Sequence, residues 1–188
     1  MKARQLVIAS LSLMPALAMA HPGHDGGHGF MSGFMHPWSG MDHLITMLAV
    51  GMWAAQMGGR MRWALPLSFV SMMIVGALLG FGGIHLGAVE QSIAASVCVL
   101  GLLLFSAKRL PSIACVILTS CFAIFHGYAH AIEASNAGAI AYISGFTIST
   151  ALLHALGISI AILLDRHQRV LRWAGALIAV SGVAMLLS

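Results

Sequence analysis

Pro111-Ser112-Ile113-Ala114-Cys115-Val116-Ile117-Leu118-Thr119-Ser120-Cys121-Phe122-Ala123-Ile124-Phe125-His126-Gly127-Tyr128-Ala129-His130-Ala131-Ile132-Glu133 carries no Asp, Glu, Lys or Arg before its last residue. A run of this length and apolarity is long enough to cross about 30 Å of hydrocarbon as a helix. Pro111 stands where a missing backbone N–H costs a helix little. The stretch therefore predicts a transmembrane helix, and two histidines and a glutamate crowd one end of it.

The rest of the chain has the same character. Of 188 residues, 60% are hydrophobic and 7% charged, whereas soluble domains average about 25% charged. A formal charge of +4 spread over so few basic residues excludes a nucleic-acid surface, and lipid is the solvent that fits. Cys98, Cys115 and Cys121 lie inside apolar runs without a CxxC spacing, as packing residues do and an extracytoplasmic disulfide framework does not.

The amino terminus has Lys2 and Arg4, an apolar run from Leu6 to Leu17, and Ala18-Met19-Ala20. These are the charged region, apolar region and small-residue cleavage site of a secretory signal. Residues 1–20 are expected to be removed after Ala20, leaving His21 first. Residues 21–37 form a His/Gly-rich periplasmic segment, and 38–188 a six-helix transmembrane domain. The six apolar segments are 38–57, 64–84, 87–106, 111–133, 138–164 and 170–187. Pro66 is placed in the first turn of its helix, and the long fifth span is expected to tilt or break near Gly145 or Gly157.

Orientation follows by two routes. Signal cleavage starts the mature chain outside. The loops that then face inward hold Arg60 and Arg62, Lys108 and Arg109, and Arg166, Arg169 and Arg172, and basic residues favour cytoplasmic loops. The expected fold is an all-α protein of the inner (cytoplasmic) membrane with both mature termini periplasmic.

Polar residues inside such helices are costly, at roughly 2.5–3.5 kcal/mol for a charged side chain at the helix centre. The first span opens with His36-Pro37-Trp38-Ser39-Gly40-Met41-Asp42-His43, the fourth ends with His126, His130 and Glu133, and the fifth carries Thr147, Thr150 and His154. At about 100° per residue, His126, His130 and Glu133 share one helical stripe. The first span starts where the fourth ends, so Asp42 and His43 fall at the depth of that stripe, with His154 deeper. Imidazole with carboxylate and no thiolate suits Ni²⁺, Co²⁺, Zn²⁺ or Fe²⁺ and argues against Cu⁺. Asp42 and Glu133 would ease a dication out of water or orient the imidazoles. Blander readings stand beside this one. His154 can hydrogen-bond a neighbouring helix, Asp42 can cap one, and Met31, Met35, Met41, Met47 and Met52 can simply pack or face lipid. His85 and Glu90 read as solvated outer-loop residues.

His21-Pro22-Gly23-His24-Asp25-Gly26-Gly27-His28 adds three imidazoles and a carboxylate in a glycine-rich segment. Pro22 has no N–H to lose, which argues against a square-planar amino-terminal chelate. Weak capture by His21, His24 and His28, or a plain solvated tail, remain the two readings.

The chain resembles the HupE/UreJ family of membrane proteins. The resemblance rests on His36-Pro37-x-x-Gly40-x-Asp42-His43, on His126-Gly127-x-Ala129-His130-x-x-Glu133, and on Gly145-Phe146 leading to Leu153-His154. It implies a nickel or cobalt permease in which His36, Asp42 and His43 handle the metal with the fourth-span group as partner. On that reading the protein is not an enzyme, has no permanent cofactor, and has Ni²⁺ or Co²⁺ as its transported ion. Its partners are the bilayer and the ion, with homo-oligomerisation left open. Two other classes compete: a membrane metalloenzyme using Zn²⁺ to activate water, and a haem protein with axial histidines on two helices. No nucleophile accompanies the cluster, and colourless purified protein would exclude haem.

Overall fold

The computed structural model describes residues 29–134 and 138–188. Every regular element among them is helical: α1 Phe30–Ser39, α2 Met41–Met57, α3 Met61–Phe81, α4 Val89–Ser106, α5 Ser112–Glu133, α6 Ala139–Leu163, a short 3-10 turn Asp165–His167, and α7 Gln168–Leu187. Among the described residues five segments are long and apolar enough to cross a membrane: Met61–Phe81, Val89–Ser106, Ser112–Glu133, Ala139–Leu163 and Asp165–Leu187.

The first of the six segments read from sequence differs from the others. Gly40 has φ −90° and ψ 118°, an extended conformation that interrupts the helix and separates α1 from α2. The sequence boundary drawn at 37/38 therefore runs through α1. At 17 residues α2 is about 25 Å long, short for the bilayer, yet it is the central helix. It packs against α1, α3, α4, α6 and α7, and ten of its residues are buried, against four in α7. Trp53, Met47 and Val50 fill the middle with Phe69, Leu100, Phe146 and Leu153 from its neighbours. The outward faces carry Ile113, Ile140, Leu163, Leu177 and Val180, an apolar surface suited to lipid rather than water.

Close crossings hold the bundle together. Lipid tails are as apolar as leucine, so small residues that let backbones approach supply much of the association. A Cβ on Gly127 would collide with the Met73 carbonyl, and one on Gly76 with the Ile124 carbonyl, which sets the α3–α5 crossing. Gly51 meets His154 while Gly157 meets Leu48, which sets α2 against α6. Gly145 and Gly33 do the same for α1, against Phe30 and Tyr142. Gly145 and Gly157 thus do not break α6, which is continuous from Ala139 to Leu163; they are the notches into which α1 and α2 fit. Pro66 lies inside α3 rather than in its first turn, because that helix starts at Met61. Gly58 (φ 71°) and Gly59 (φ 52°) make the tight left-handed link from α2 to α3.

The two ends of the bundle differ in charge. Asp42, Glu90, Glu133 and Ser188 line one cleft of about 670 Å³. At the other end, Arg60 and Arg109 share one cleft and Arg62 and Asp165 another.

Candidate metal centre

Three helices bring the candidate residues together at the carboxylate end. α5 presents His126, His130 and Glu133 from its last two turns, and both imidazoles are fully buried. Asp42 and His43 occupy the first turn of α2, with His43 4% exposed. His36 arrives from α1, because the break at Gly40 folds that helix onto the first two turns of α6 instead of continuing α2. One ligand atom each from His36, His43 and His130 can be chosen so that all lie within 4.8 Å of one another. The rings sit 4.7 Å (His36–His130), 4.6 Å (His43–His130) and 5.6 Å (His36–His43) apart between centroids.

Hydrogen bonds leave these rings with nitrogen to spare. Asp42 Oδ1 lies 3.0 Å from His43 Nδ1 and also accepts the His43 backbone N–H at 2.8 Å. A carboxylate there holds the proton on Nδ1, so the lone pair is on Nε2, which is buried and has no partner among the described residues. Glu133 Oε2 treats His36 Nε2 the same way at 3.0 Å. Two of the three imidazoles thus carry the carboxylate partner that fixes tautomer and orientation in metal-ligating histidines. His130 stacks on Phe146 at 4.5 Å and 14°, and neither of its ring nitrogens finds a partner among the described residues. A buried polar group left unmatched costs about 1–3 kcal/mol, and such groups concentrate where a fold reserves a place for a ligand or a reaction.

The other predicted residues fall around this core. The His126 ring is 4.9 Å from His43, one step inward, and its Nε2 lies 2.9 Å from Ser96 Oγ on α4. Phe69 separates it from His154, at 5.6 Å from the His126 ring and 5.2 Å from the His154 ring. His154 is 1% exposed with both nitrogens unmatched among the described residues, and it stands outside the three-histidine cluster. Thr150 donates to Met73 Sδ at 3.7 Å and serves the α3–α6 contact. Met31, Met35 and Met41 are exposed, while Met47 and Met52 pack in the core. His21, His24 and His28 lie outside the described residues.

Three participants escape a reading of sequence alone. Glu90, read above as a solvated outer-loop residue, is exposed but sits in the first turn of α4 and lines the cleft with Asp42 and Glu133; a carboxylate at the head of an apolar run was its only signal. Ser96 and Phe69 look like ordinary span residues until α4 and α3 are set beside α5.

These features define a class before a family: a multi-pass helical membrane protein with imidazoles and carboxylates gathered at one end of its bundle. The family model described as HupE / UreJ protein matches residues 9–185. Protein HupE of Rhizobium leguminosarum bv. viciae is 41% identical over 182 residues, covering 95% of this chain and 94% of that protein. The chain belongs to the HupE/UreJ family. No solved structure matches it.

Proposed function

We propose that the protein is a permease for a divalent transition metal ion, nickel first and cobalt second. It captures the ion at the periplasmic side through His36, Asp42, His43, His126, His130 and Glu133 and passes it towards His154. The observation that carries this reading is the meeting of His36, His43 and His130 within 4.8 Å, three imidazoles from three separate helices. Membership of the HupE/UreJ family supports transport over catalysis. Imidazole and carboxylate are donors for borderline dications, and Cys98, Cys115 and Cys121, all free, stand apart from the cluster. Without a Walker A motif in the sequence, entry is downhill or driven by a gradient.

The proposal includes a topology: cleavage after Ala20, α2 as the sixth crossing besides the five longer segments, and both mature ends outside the inner membrane. The carboxylate cleft then opens to the periplasm and concentrates cations, and the arginine end faces the cytoplasm.

Purified protein in liposomes, assayed for Ni²⁺, Co²⁺, Zn²⁺ and Fe²⁺ entry beside an Asp42→Ala/His126→Ala variant, tests the function. Saturable entry of Ni²⁺ or Co²⁺ that the variant loses is the expected result. Stoichiometric binding without entry would instead make the protein a membrane metalloenzyme or a metal-holding accessory factor.

A further inference from the structure

A hydroxyl on a helix that contributes no predicted ligand controls one of the imidazoles. Ser96, on α4, is fully buried. Its Oγ donates to the Ile93 carbonyl one turn back, at 2.7 Å, and lies 2.9 Å from His126 Nε2. A hydroxyl has one proton. With that proton on the Ile93 carbonyl, the oxygen can only accept from His126, so Nε2 must carry the imidazole N–H. The lone pair is then confined to Nδ1, which is buried and has no partner among the described residues. The opposite tautomer would leave an N–H donor stranded at Nδ1 in an apolar interior, and would pull the serine proton away from its short bond to the carbonyl. Thr46 Oγ1, 3.5 Å from Ser96 Oγ, is at the limit of hydrogen-bond range and too far to take over the role.

The His126 ring stands edge-on to His43, at 82°, and also neighbours Phe69, which in turn neighbours His154. Among the described residues it is the imidazole that neighbours both His43 of the three-histidine cluster and Phe69, the ring beside the deeper histidine. His43 and His36 have their tautomers set by carboxylates, and a carboxylate beside His126 would add a trapping negative charge in mid-bundle. A neutral hydroxyl orients without trapping, as a relay requires.

We propose that Ser96 is a positioning residue that locks His126 as the Nε2–H tautomer, so that Nδ1 is the donor that takes the ion inward from the cluster. This rests on the permease reading above, and the experiment separates the two. Full-length protein with ¹⁵N-labelled histidine in lipid is compared, without metal, as wild type, Ser96→Ala, Ser96→Thr and Thr46→Val. The His126 signals are assigned by their loss in His126→Gln. Wild type, Ser96→Thr and Thr46→Val are expected to show Nε2–H alone, and Ser96→Ala a population with the proton on Nδ1. Ni²⁺ binding and entry into liposomes are measured on the same samples. Ser96→Ala should keep binding at the outer cluster, yet lower the entry rate, with Ser96→Thr restoring it. An Nδ1–H tautomer in wild type, or an unchanged Nε2–H tautomer in Ser96→Ala, overturns the positioning role. A shifted tautomer with undiminished entry overturns His126 Nδ1 as the relay donor. Failure of the permease reading looks different: wild type itself moves no ion, whatever the tautomer.

Discussion

Asp42 and Glu133 each hold one nitrogen of a histidine, at 3.0 Å in both pairs, and so decide which nitrogen is free. Outer-shell partners of this kind are worth about 10–100-fold in metal affinity. Asp42→Asn, which keeps the shape and removes the charge, is expected to weaken Ni²⁺ binding by about that factor at unchanged stoichiometry, read by calorimetry on purified protein. His43→Ala should abolish the bound equivalent altogether. Equal effects of the two would mean that Asp42 is itself the ligand. His154 poses the opposite question, because its two buried nitrogens have no partner among the described residues. If the imidazole served structure, replacing it would destabilise the fold. An unmatched buried polar group instead costs about 1–3 kcal/mol, so His154→Leu is expected to raise the thermal midpoint in detergent, leave outer-site binding intact and slow metal entry. A lowered midpoint would return His154 to the blander role of a helix-packing residue.

Among the helices, α1 shows what sequence could and could not convey. The stripe His126, His130 and Glu133 was legible because spacing on one long helix is a local property, and α5 keeps all three on one side. His154, deeper on α6, followed from the same logic. α1 did not announce itself. It has ten residues with Gly33 and Pro37 inside, too short and too interrupted for a helical signal, and packing, chiefly on α6 and to a lesser extent on α2, keeps it folded. That packing depends on Gly33 and Gly145, where any Cβ would meet a backbone carbonyl of the opposing helix. Gly145, like Gly157, looked like a point of bending in the fifth span because a sequence shows a missing side chain but not the helix that fills its place. Ser96 was invisible for a related reason: it lies 30 residues from His126, and nothing local pairs them. Overpacking a close contact costs typically about 1–3 kcal/mol, enough to lift a short helix without unfolding five long ones. Gly145→Val should therefore weaken metal binding to the level of His36→Ala, with the double variant no worse than either. Gly127→Val, at the α3–α5 crossing, is expected to lower the thermal midpoint as well. Additive losses in the first pair would show that α1 does more than deliver His36.

Across the whole bundle, charge and chain ends sort to opposite poles. The start of α2, the start of α4, the end of α5 and the carboxyl terminus share one cleft, through Met41, Glu90, Glu133 and Ser188. Arg60 and Arg109 meet at the far end. An even number of crossings between Met41 and Ser188 is what such a meeting of ends requires, and α2 to α7 supply six helices. The assignment of the carboxylate pole to the periplasm then rests on the expected signal cleavage and on the basic residues. It can be tested in a background with Cys98, Cys115 and Cys121 replaced by alanine, carrying Ser188→Cys or Lys108→Cys. In intact spheroplasts an impermeant maleimide is expected to label Ser188→Cys and to reach Lys108→Cys only after the membrane is opened. The inverse pattern would place the imidazole cluster on the cytoplasmic face. The same residues would then form an exit, collecting ions from the cytoplasm, and the direction of transport argued from their position would reverse. Labelling of both positions in intact cells would instead remove one of α5, α6 and α7 as a crossing, since these are the helices between Lys108 and Ser188. The length of α2, about 25 Å, sets a separate condition on its own crossing, since a helix that short spans only if α1 and the neighbouring helices shield its ends from lipid.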